Sequence, residues 1–492
     1  MSAVDAPPPA PPFRLAAGAV RQIAAEALLL PTGLVTAAVL TRALGPAHYG
    51  LFSLAATLVG GVAWTVTSLF ARAAVKFVAE ADDWRPVALS VLRWRLLGGA
   101  ISAGAVLLAA GPLAAALGEP DLAPALRLFS LDLVLFGVVR AYREVLVGTG
   151  RFHEQAVVTT VRWLVRMGLM VALVAVFRSV EAAVWGSIAT TAVELAVAMR
   201  YVRLPWRGRG GVAARQLWAV AAPLLLFGLC LQLVSRLDLF ALKALGGTAT
   251  DAGYYGAAQN LAVGPGLFAL AFSPLLLATL GRLGRDGHAD AARALGRQAM
   301  RLTWTLLPLV GVVAGTSHEI VGLVMGPDFA PAAPLVVLLF AAAAALAAVA
   351  VAASVLAAAD RPGLASAVGV GMLAVALVGY AVLIPERGAL GAAAATAIAT
   401  AFAAIVGAAL VHTVWRASST LTALRGIVLA VAAGAVGTLW HAPGLWVVAE
   451  LLVLTAGCFF GLVALGEVSA DERAQLRAWV RQVRHSKPKE RD

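Results

Sequence analysis

Charge is scarce in this chain. Only 13% of its 492 residues are Asp, Glu, Lys or Arg, and 61% are hydrophobic. A soluble domain carries about 25% charged residues, so an ordinary soluble fold is excluded. Cysteine is scarcer still. Cys230 and Cys458 lie far apart inside apolar runs, which excludes a disulfide framework and leaves buried thiols. The signatures of common catalysis are also missing. There is no His-Glu-x-x-His, no Cys-x-x-Cys, no Gly-x-Ser-x-Gly and no Gly-x-x-x-x-Gly-Lys-Ser/Thr phosphate loop. The seven histidines (His48, His153, His288, His318, His412, His441 and His485) fall mostly at loops or at the ends of apolar runs. None has a partner at metal-ligand spacing. No metal, cofactor or catalytic residue is expected, and the chain reads as a non-enzyme.

What is present is apolar sequence of membrane-crossing length, almost end to end. A helix needs about 20 apolar residues to cross a bilayer core. About 14 spans can be placed, at 16–41, 48–71, 88–110, 124–147, 155–177, 181–203, 217–242, 252–280, 299–324, 332–358, 363–384, 388–414, 421–440 and 443–466. The fold class is therefore all-α and polytopic. Residues 1–14 are proline-rich and read as a disordered tail, not a signal peptide. With the N-terminus in the cytoplasm, about 32 of the 38 basic residues fall on the cytoplasmic side. Arg42, Arg127, Arg178, Lys243 and Arg387 face the other side, and Arg236 falls inside a span. This asymmetry fixes the orientation and supports an even number of spans. It also explains the formal charge of +12 without nucleic acid, because the charge is spread over every cytoplasmic loop. Residues 467–492 form a basic tail. Ser469-Ala-Asp-Glu472 has capping-box spacing, and Leu476, Trp479, Val480 and Val483 share a face largely opposite Arg473, Arg477, Arg481 and Arg484. Such a helix suits the anionic surface of the cytoplasmic leaflet.

Two echoes divide the chain. Arg42-Ala43-Leu44-Gly45, followed by Tyr49-Gly50, returns about 200 residues later as Lys243-Ala244-Leu245-Gly246, followed by Tyr255-Gly256. The second copy has a loop about five residues longer. Val145-Leu-Val-Gly-Thr-Gly-Arg151 returns in the same order as Val355-Leu-Ala-Ala-Ala-Asp-Arg361. The halves are 15–204 and 217–415, joined by a basic linker at 205–216, with two further helices in 416–466. An even number of spans per half makes the repeat parallel, related by an axis along the membrane normal. Prolines at Pro31, Pro223, Pro265, Pro274 and Pro308 mark expected kinks.

Polar residues inside the spans are costly and point to a cavity or a partner. The second span carries Tyr49, Ser53, Thr57, Gly60, Trp64, Ser68 and Arg72 at steps of three or four, on one face. The seventh carries Gln232, Arg236 and Lys243 on one face, with Asp238 about 160° from Arg236. Tyr255 and Gln259 lie one turn apart at the start of the eighth. The fourth carries Asp132, Arg140, Arg143 and Glu144, the fifth Arg162 and Arg166, and Glu26, Glu194 and Glu450 are isolated acids. Arg140, Arg143, Arg162 and Arg166 lie near predicted cytoplasmic ends, where snorkelling accounts for them.

The run Arg42-Ala-Leu-Gly45-Pro-Ala-His-Tyr49-Gly50-Leu-Phe-Ser-Leu54 resembles the N-terminal signature of bacterial polysaccharide and O-antigen flippases. These belong to the multidrug/oligosaccharidyl-lipid/polysaccharide exporter superfamily. The resemblance implies two six-helix lobes around a cationic cavity, plus two C-terminal helices, in the bacterial cytoplasmic membrane. It implies transfer of an undecaprenyl-pyrophosphate-linked oligosaccharide to the periplasmic leaflet by alternating access. Membrane lipids, a polysaccharide polymerase and chain-length proteins are the implied partners, and a monomer the implied state. A pyrophosphate crossing lipid needs fixed cations. The expected head-group residues are Arg236, Arg72, Lys243, Arg42 and Arg140, with Arg236 foremost. Tyr49, Ser53, Thr57, Trp64, Ser68, Gln232, Tyr255 and Gln259 are expected to line the cavity, and Asp132, Glu26 and Asp238 are candidates for ion coupling. A cation-coupled drug exporter of the same superfamily, and a membrane-embedded glycan polymerase or ligase, are the competing readings.

The arginine tally generates a topology test. A single cysteine at residue 207 should resist an impermeant thiol reagent added to intact cells and react once the membrane is permeabilised.

Overall fold

A chain this apolar must satisfy its backbone groups internally, and helices do so segment by segment. The computed structural model describes residues 21–22, 24–204, 208, 233–234, 236–416, 420–440, 442 and 444–467, and every regular element among them is helical. The helices are α1 (Leu29–Glu80), α2 (Trp84–Ala116), α3 (Leu122–Gly148), α4 (Phe152–Phe177) and α5 (Val180–Tyr201), then α6 (236–244), α7 (Ala249–Leu261) and α8 (Gly264–Arg285). They continue as α9 (Ala289–Trp304), α10 (Leu307–Val324), a 3-10 turn (Pro327–Ala332), α11 (Ala333–Ala358), α12 (Pro362–Trp415), α13 (Thr420–Leu439) and α14 (Trp446–Ala464). Gln232, most of the expected seventh span, the proline-rich start and the basic tail lie outside the described residues.

Ten helical segments among the described residues are long and apolar enough to cross a membrane. Two of them hold two crossings each. Straight, the 52 residues of α1 would reach about 78 Å, against a hydrocarbon core of about 30 Å. Gly45 breaks it with φ 71° and ψ 173°, ahead of Pro46. Gly388, with φ 53°, breaks α12 in the same way. There the chain folds back on itself: Tyr380 Oη lies 2.9 Å from Thr396 Oγ1, and Gly379 packs on Ala395. Two expected single spans are interrupted. The span at 252–280 is α7 and α8, separated at Ala262 and Val263 just before Pro265. The span at 299–324 belongs to α9 and α10, separated at Thr305 and Leu306 before Pro308. The missing proline N–H and fixed φ explain both interruptions.

The two lobes repeat each other's turns. α3 ends with Thr149, Gly150 and Arg151 donating to the carbonyls of Val145, Val147 and Leu146 at 2.9, 3.0 and 2.8 Å. α11 ends with Ala359, Asp360 and Arg361 donating to Val355, Ala357 and Leu356 at 3.0, 3.2 and 3.0 Å. Gly150 and Asp360 both take positive φ, and aspartate is among the few residues that tolerate it. Three more loop pairs match, with positive φ at Gly45 and Gly246, Gly118 and Gly326, and Arg178 and Gly388, whereas Gly287 has no positive-φ counterpart at 81–83. The fold is two six-helix lobes related by a pseudo-two-fold axis along the membrane normal, with α13 and α14 appended. These two pack on α10, where Gly311 meets the Ala430 backbone and Gly315 meets Gly437.

Among the described residues the lobes meet mainly along the seam of α1 against α7. A Cβ added to Gly50 would lie 1.9 Å from Ala249 O, and one added to Gly253 would lie 2.0 Å from Pro46 O. The contact is reciprocal, as a two-fold relation requires. Gly50 therefore answers Gly253, one turn before the Gly256 that the sequence echo pairs with it. Gly256 instead faces Ser53. Phe329 sets its ring edge-on against both Tyr49 and Tyr254, at 5.8 Å from each.

The seam allows no side chain, whereas Gly60 has no neighbouring atom within 4 Å. Gly50→Ala and Gly253→Ala should each lower the thermal midpoint of the purified protein, at a cost of about 1–3 kcal/mol. Gly60→Ala should leave the midpoint unchanged or slightly raised. A fluorescence melt of the three variants checks this.

Candidate functional site

The N-terminal lobe holds its charges inside. α3 contributes Arg140, Arg143 and Glu144, and α4 contributes Gln155, Thr159, Arg162 and Arg166. α2 contributes Arg95, α5 contributes Ser187, Thr191 and Glu194, and Glu26 comes from the turn before α1. Helical rise sets their distances from the helix ends at the α3–α4 turn, namely about 8 Å for Arg143, 12 Å for Arg140, 15 Å for Arg162 and 21 Å for Arg166. Four cations thus lie at successive distances from that turn, inside the lobe.

Two arginines of the lobe are fully committed to holding it together. Arg95, 2% exposed, grips Glu144 with two donors and gives a third to Val66 O at 2.8 Å, tying α2, α3 and α1. Arg143, also buried, donates to Glu194 Oε1 at 3.2 Å, Glu26 Oε1 at 3.3 Å and Thr159 Oγ1 at 3.1 Å. Gln155, with its carbonyl turned toward the guanidinium, accepts from Arg143 Nε at 2.8 Å and Nη2 at 2.9 Å. Snorkelling does not describe Arg143, because carboxylates hold it inside the lobe. Arg162 shares Glu194, at 3.6 Å.

Arg140 and Arg166 differ from these. Neither has an ion pair among the described residues. Each lies instead over an aromatic face, Arg140 5.2 Å from the Phe136 ring and Arg166 5.9 Å from Trp163. Arg162 lies over both rings, at 5.6 and 5.0 Å. Cation–π contact accommodates a guanidinium while leaving its donor edge available. Arg140 Nε and Trp163 Nε1 are buried with no protein partner, as is Asp132 Oδ1. Buried polar groups are nearly always paired, so these three atoms retain unused hydrogen-bonding capacity. Asp132 also accepts weakly from Ser187, at 3.4 Å.

The other expected residues are distributed elsewhere. Arg236 is half-buried at the start of α6 with no ion pair among the described residues. Lys243 pairs with Glu119 at 2.8 Å and donates to Gly247 O at 2.9 Å. Arg42 donates to Leu323 O at 2.5 Å. These two cations are not gathered with the rest. The side chains of Arg72 and Ser68 lie outside the described part. Tyr49 and Ser53 are buried in the seam, where Tyr49 Oη accepts from Asn260 at 2.9 Å. Thr57 is also buried, and Trp64 is half-buried. Asp238 is not paired with Arg236. It accepts from Tyr255 Oη at 2.8 Å, Gln259 Nε2 at 3.0 Å and its neighbour's backbone N–H at 2.7 Å. Glu26 is held by Arg143 and Gln22. Sequence reasoning missed Arg95 and Arg166 as interior cations. Arg95 lies within the expected span at 88–110, which was the available signal.

The family pattern described as "Polysaccharide biosynthesis protein" matches residues 39–334. Among solved structures, the chain resembles the lipid II flippase MurJ in its inward closed conformation. The TM-score is 0.73 at 11% identity, covering 90% of this chain and 97% of that one. It also resembles a point mutant of the Vibrio cholerae MATE transporter VcmN, with TM-score 0.58, 16% identity and coverage of 82% and 97%. An inward-facing multidrug resistance MATE family transporter of the MOP superfamily matches with TM-score 0.55, 14% identity and coverage of 84% and 95%. No curated protein matches by sequence. At these identities the solved structures speak for the fold, and the family pattern, spanning more than half of the chain, for the lineage. The chain belongs to the polysaccharide biosynthesis protein family.

Proposed function

We propose that this chain is a flippase that carries a lipid-linked oligosaccharide, joined to its polyprenol by pyrophosphate, from the cytoplasmic to the periplasmic leaflet. One observation carries the reading: the arginine ladder, in which Arg140 and Arg166 keep donors that no carboxylate occupies. A pyrophosphate entering from the cytoplasmic side would meet Arg140 first, share Arg162 with Glu194, and reach Arg166 near the middle of the membrane. A guanidinium fork can grip phosphate through two parallel hydrogen bonds. Arg236, on the opposite lobe and likewise without an ion pair, supplies a second side to the path. An inside-negative potential favours outward movement of the anion by about 2.3 kcal/mol per charge per 100 mV, so transport needs no coupled ion. A glycan polymerase is disfavoured, because Glu119, an acid of the longest external loop, is occupied by Lys243.

A second reading, the cation-coupled drug exporter, draws on Asp238. This buried carboxylate, held by two side-chain donors, is a place where a proton or a small cation could be exchanged. In that reading Asp238→Asn abolishes drug efflux and the ladder arginines are dispensable.

The ladder divides into structural and transporting cations. Arg95→Ala and Arg143→Ala should each destabilise the fold by about 3–5 kcal/mol, because they strand buried carboxylates. Arg140→Ala and Arg166→Ala should melt like the parent. In proteoliposomes given a fluorescent polyprenyl-pyrophosphate oligosaccharide, each should slow flipping by about tenfold or more, and lysine at either position should restore part of the rate. Parental flipping in the Arg140→Ala/Arg166→Ala double variant would refute the reading. Arg236→Ala is expected to be more impaired than Arg236→Lys in the same assay.

A further inference from the structure

We propose that Arg42 and Lys243, the two cations of the repeated Ala-Leu-Gly motif, are paired latches that hold the lobes together on the side away from the arginine ladder. Each reaches from its own lobe into the other, and Lys243 also closes the end of α6 by donating to Gly247 O. Arg42 donates to Leu323 O, on the last turn of α10, and its Cγ lies 3.5 Å from where a Cβ of Gly326 would sit. Lys243, its side chain 8% exposed, pairs with Glu119 beyond the end of α2, beside Gly118. α2 and α10 are counterparts in the two lobes, and Gly118 and Gly326 are the matching positive-φ turns that follow them. The two latches therefore engage counterpart turns, Arg42 through a backbone carbonyl before Gly326 and Lys243 through the carboxylate after Gly118. A single such contact would be unremarkable, since Arg42 is exposed and its bond is to a backbone carbonyl. The pair is not explained by local folding, because each cation contacts the counterpart turn in the other lobe.

The latches flank the Gly50–Gly253 seam. Among the described residues, the larger contacts between lobes run from α1 to α7, with smaller ones to α10 and the 3-10 turn. By the arginine tally the latches lie on the periplasmic side. The latches hold that side shut while the ladder faces the cytoplasm, and both must release before anything leaves outward. They differ in strength. The sheltered Lys243–Glu119 pair has the larger share, because Coulomb attraction is less screened there. The exposed Arg42 bond has the smaller.

This inference rests on the transporter reading only in taking the lobes to move, and its test needs no substrate, so either can fail without the other. In a Cys230→Ser/Cys458→Ser background, Ser53→Cys places a thiol in the seam, opposite Gly256. Its reaction with an impermeant maleimide added outside intact cells reports opening on that side. Labelling should be slow in this parent, rise about threefold with Lys243→Met, and rise about tenfold with Lys243→Met/Arg42→Met. The exchange Lys243→Glu/Glu119→Lys should return the rate close to the parent. If Lys243→Met does not accumulate in the membrane, Glu119→Gln removes the same pair from the loop side and should give the same threefold rise. An unchanged labelling rate in the folded double variant, or in Glu119→Gln, would overturn the proposal. So would a rise in Lys243→Met that the charge exchange fails to reverse.

Discussion

Everything inside the N-terminal lobe follows from the cost of an uncompensated charge in a low-dielectric interior. Removing an ion from water costs several kcal/mol even after relaxation, and only close, well-directed partners offset it. The chain meets that cost with four acids set against five arginines: Glu26, Asp132, Glu144 and Glu194 beside Arg95, Arg140, Arg143, Arg162 and Arg166. The pairing is unequal in geometry as well as in number. Glu144 is taken by Arg95, and Glu194 is divided between Arg143 and Arg162. Aromatic rings, not carboxylates, accommodate the remaining two guanidinium groups. The same electrostatic constraint that holds α1 to α5 together therefore leaves a defined surplus of positive charge, placed where two aromatic side chains fix its orientation.

The C-terminal lobe meets the same constraint differently. Its interior near the seam has one carboxylate, Asp238, and satisfies it with hydroxyl, amide and backbone donors. Tyr255 Oη, which donates to Asp238, lies 3.5 Å from Thr396 Oγ1, and Thr396 is 2.9 Å from Tyr380 Oη, so the network joins α6, α7 and both arms of α12. Two lobes of one topology thus hold opposite interiors, one rich in arginine and one built of neutral donors around a single acid. A symmetric backbone carries an asymmetric path.

The fold class, the number of crossings and the repeat were legible in the sequence because they depend on apolar length and on turns. The closing turn at Gly150 and that at Asp360 share their backbone pattern, and the heptapeptides that form them are visibly related. Pro265 and Pro308 marked the interrupted helices for an equally local reason. The seam register was not legible. Gly253-Tyr-Tyr-Gly256 offers two glycines one turn apart, and only packing against Pro46 selects the first. The site was legible in part. Arg140 was visible as a candidate, but the bond between Arg95 and Glu144 joins residues 49 positions apart on different helices, and no spacing rule reaches that far. Arg143 was misjudged because its distance from a helix end is the same whether it snorkels or pairs. Lys243 and Arg42 were visible as an echo, but the echo does not say which lobe each side chain enters.

The two appended helices have a mechanical consequence. α13 packs against α10 through glycine contacts at Gly311 and Gly315, α14 packs on both, and Glu467, just beyond α14, binds Thr422 and Arg425 at the start of α13. They are thereby fixed to one lobe and not shared between the two. That lobe presents the wider perimeter to the surrounding lipid and meets the greater viscous drag. Any rocking about the seam is then divided unequally: relative to the bilayer, the arginine-bearing half swings through the larger angle, while the half braced by the extra pair acts as its anchor.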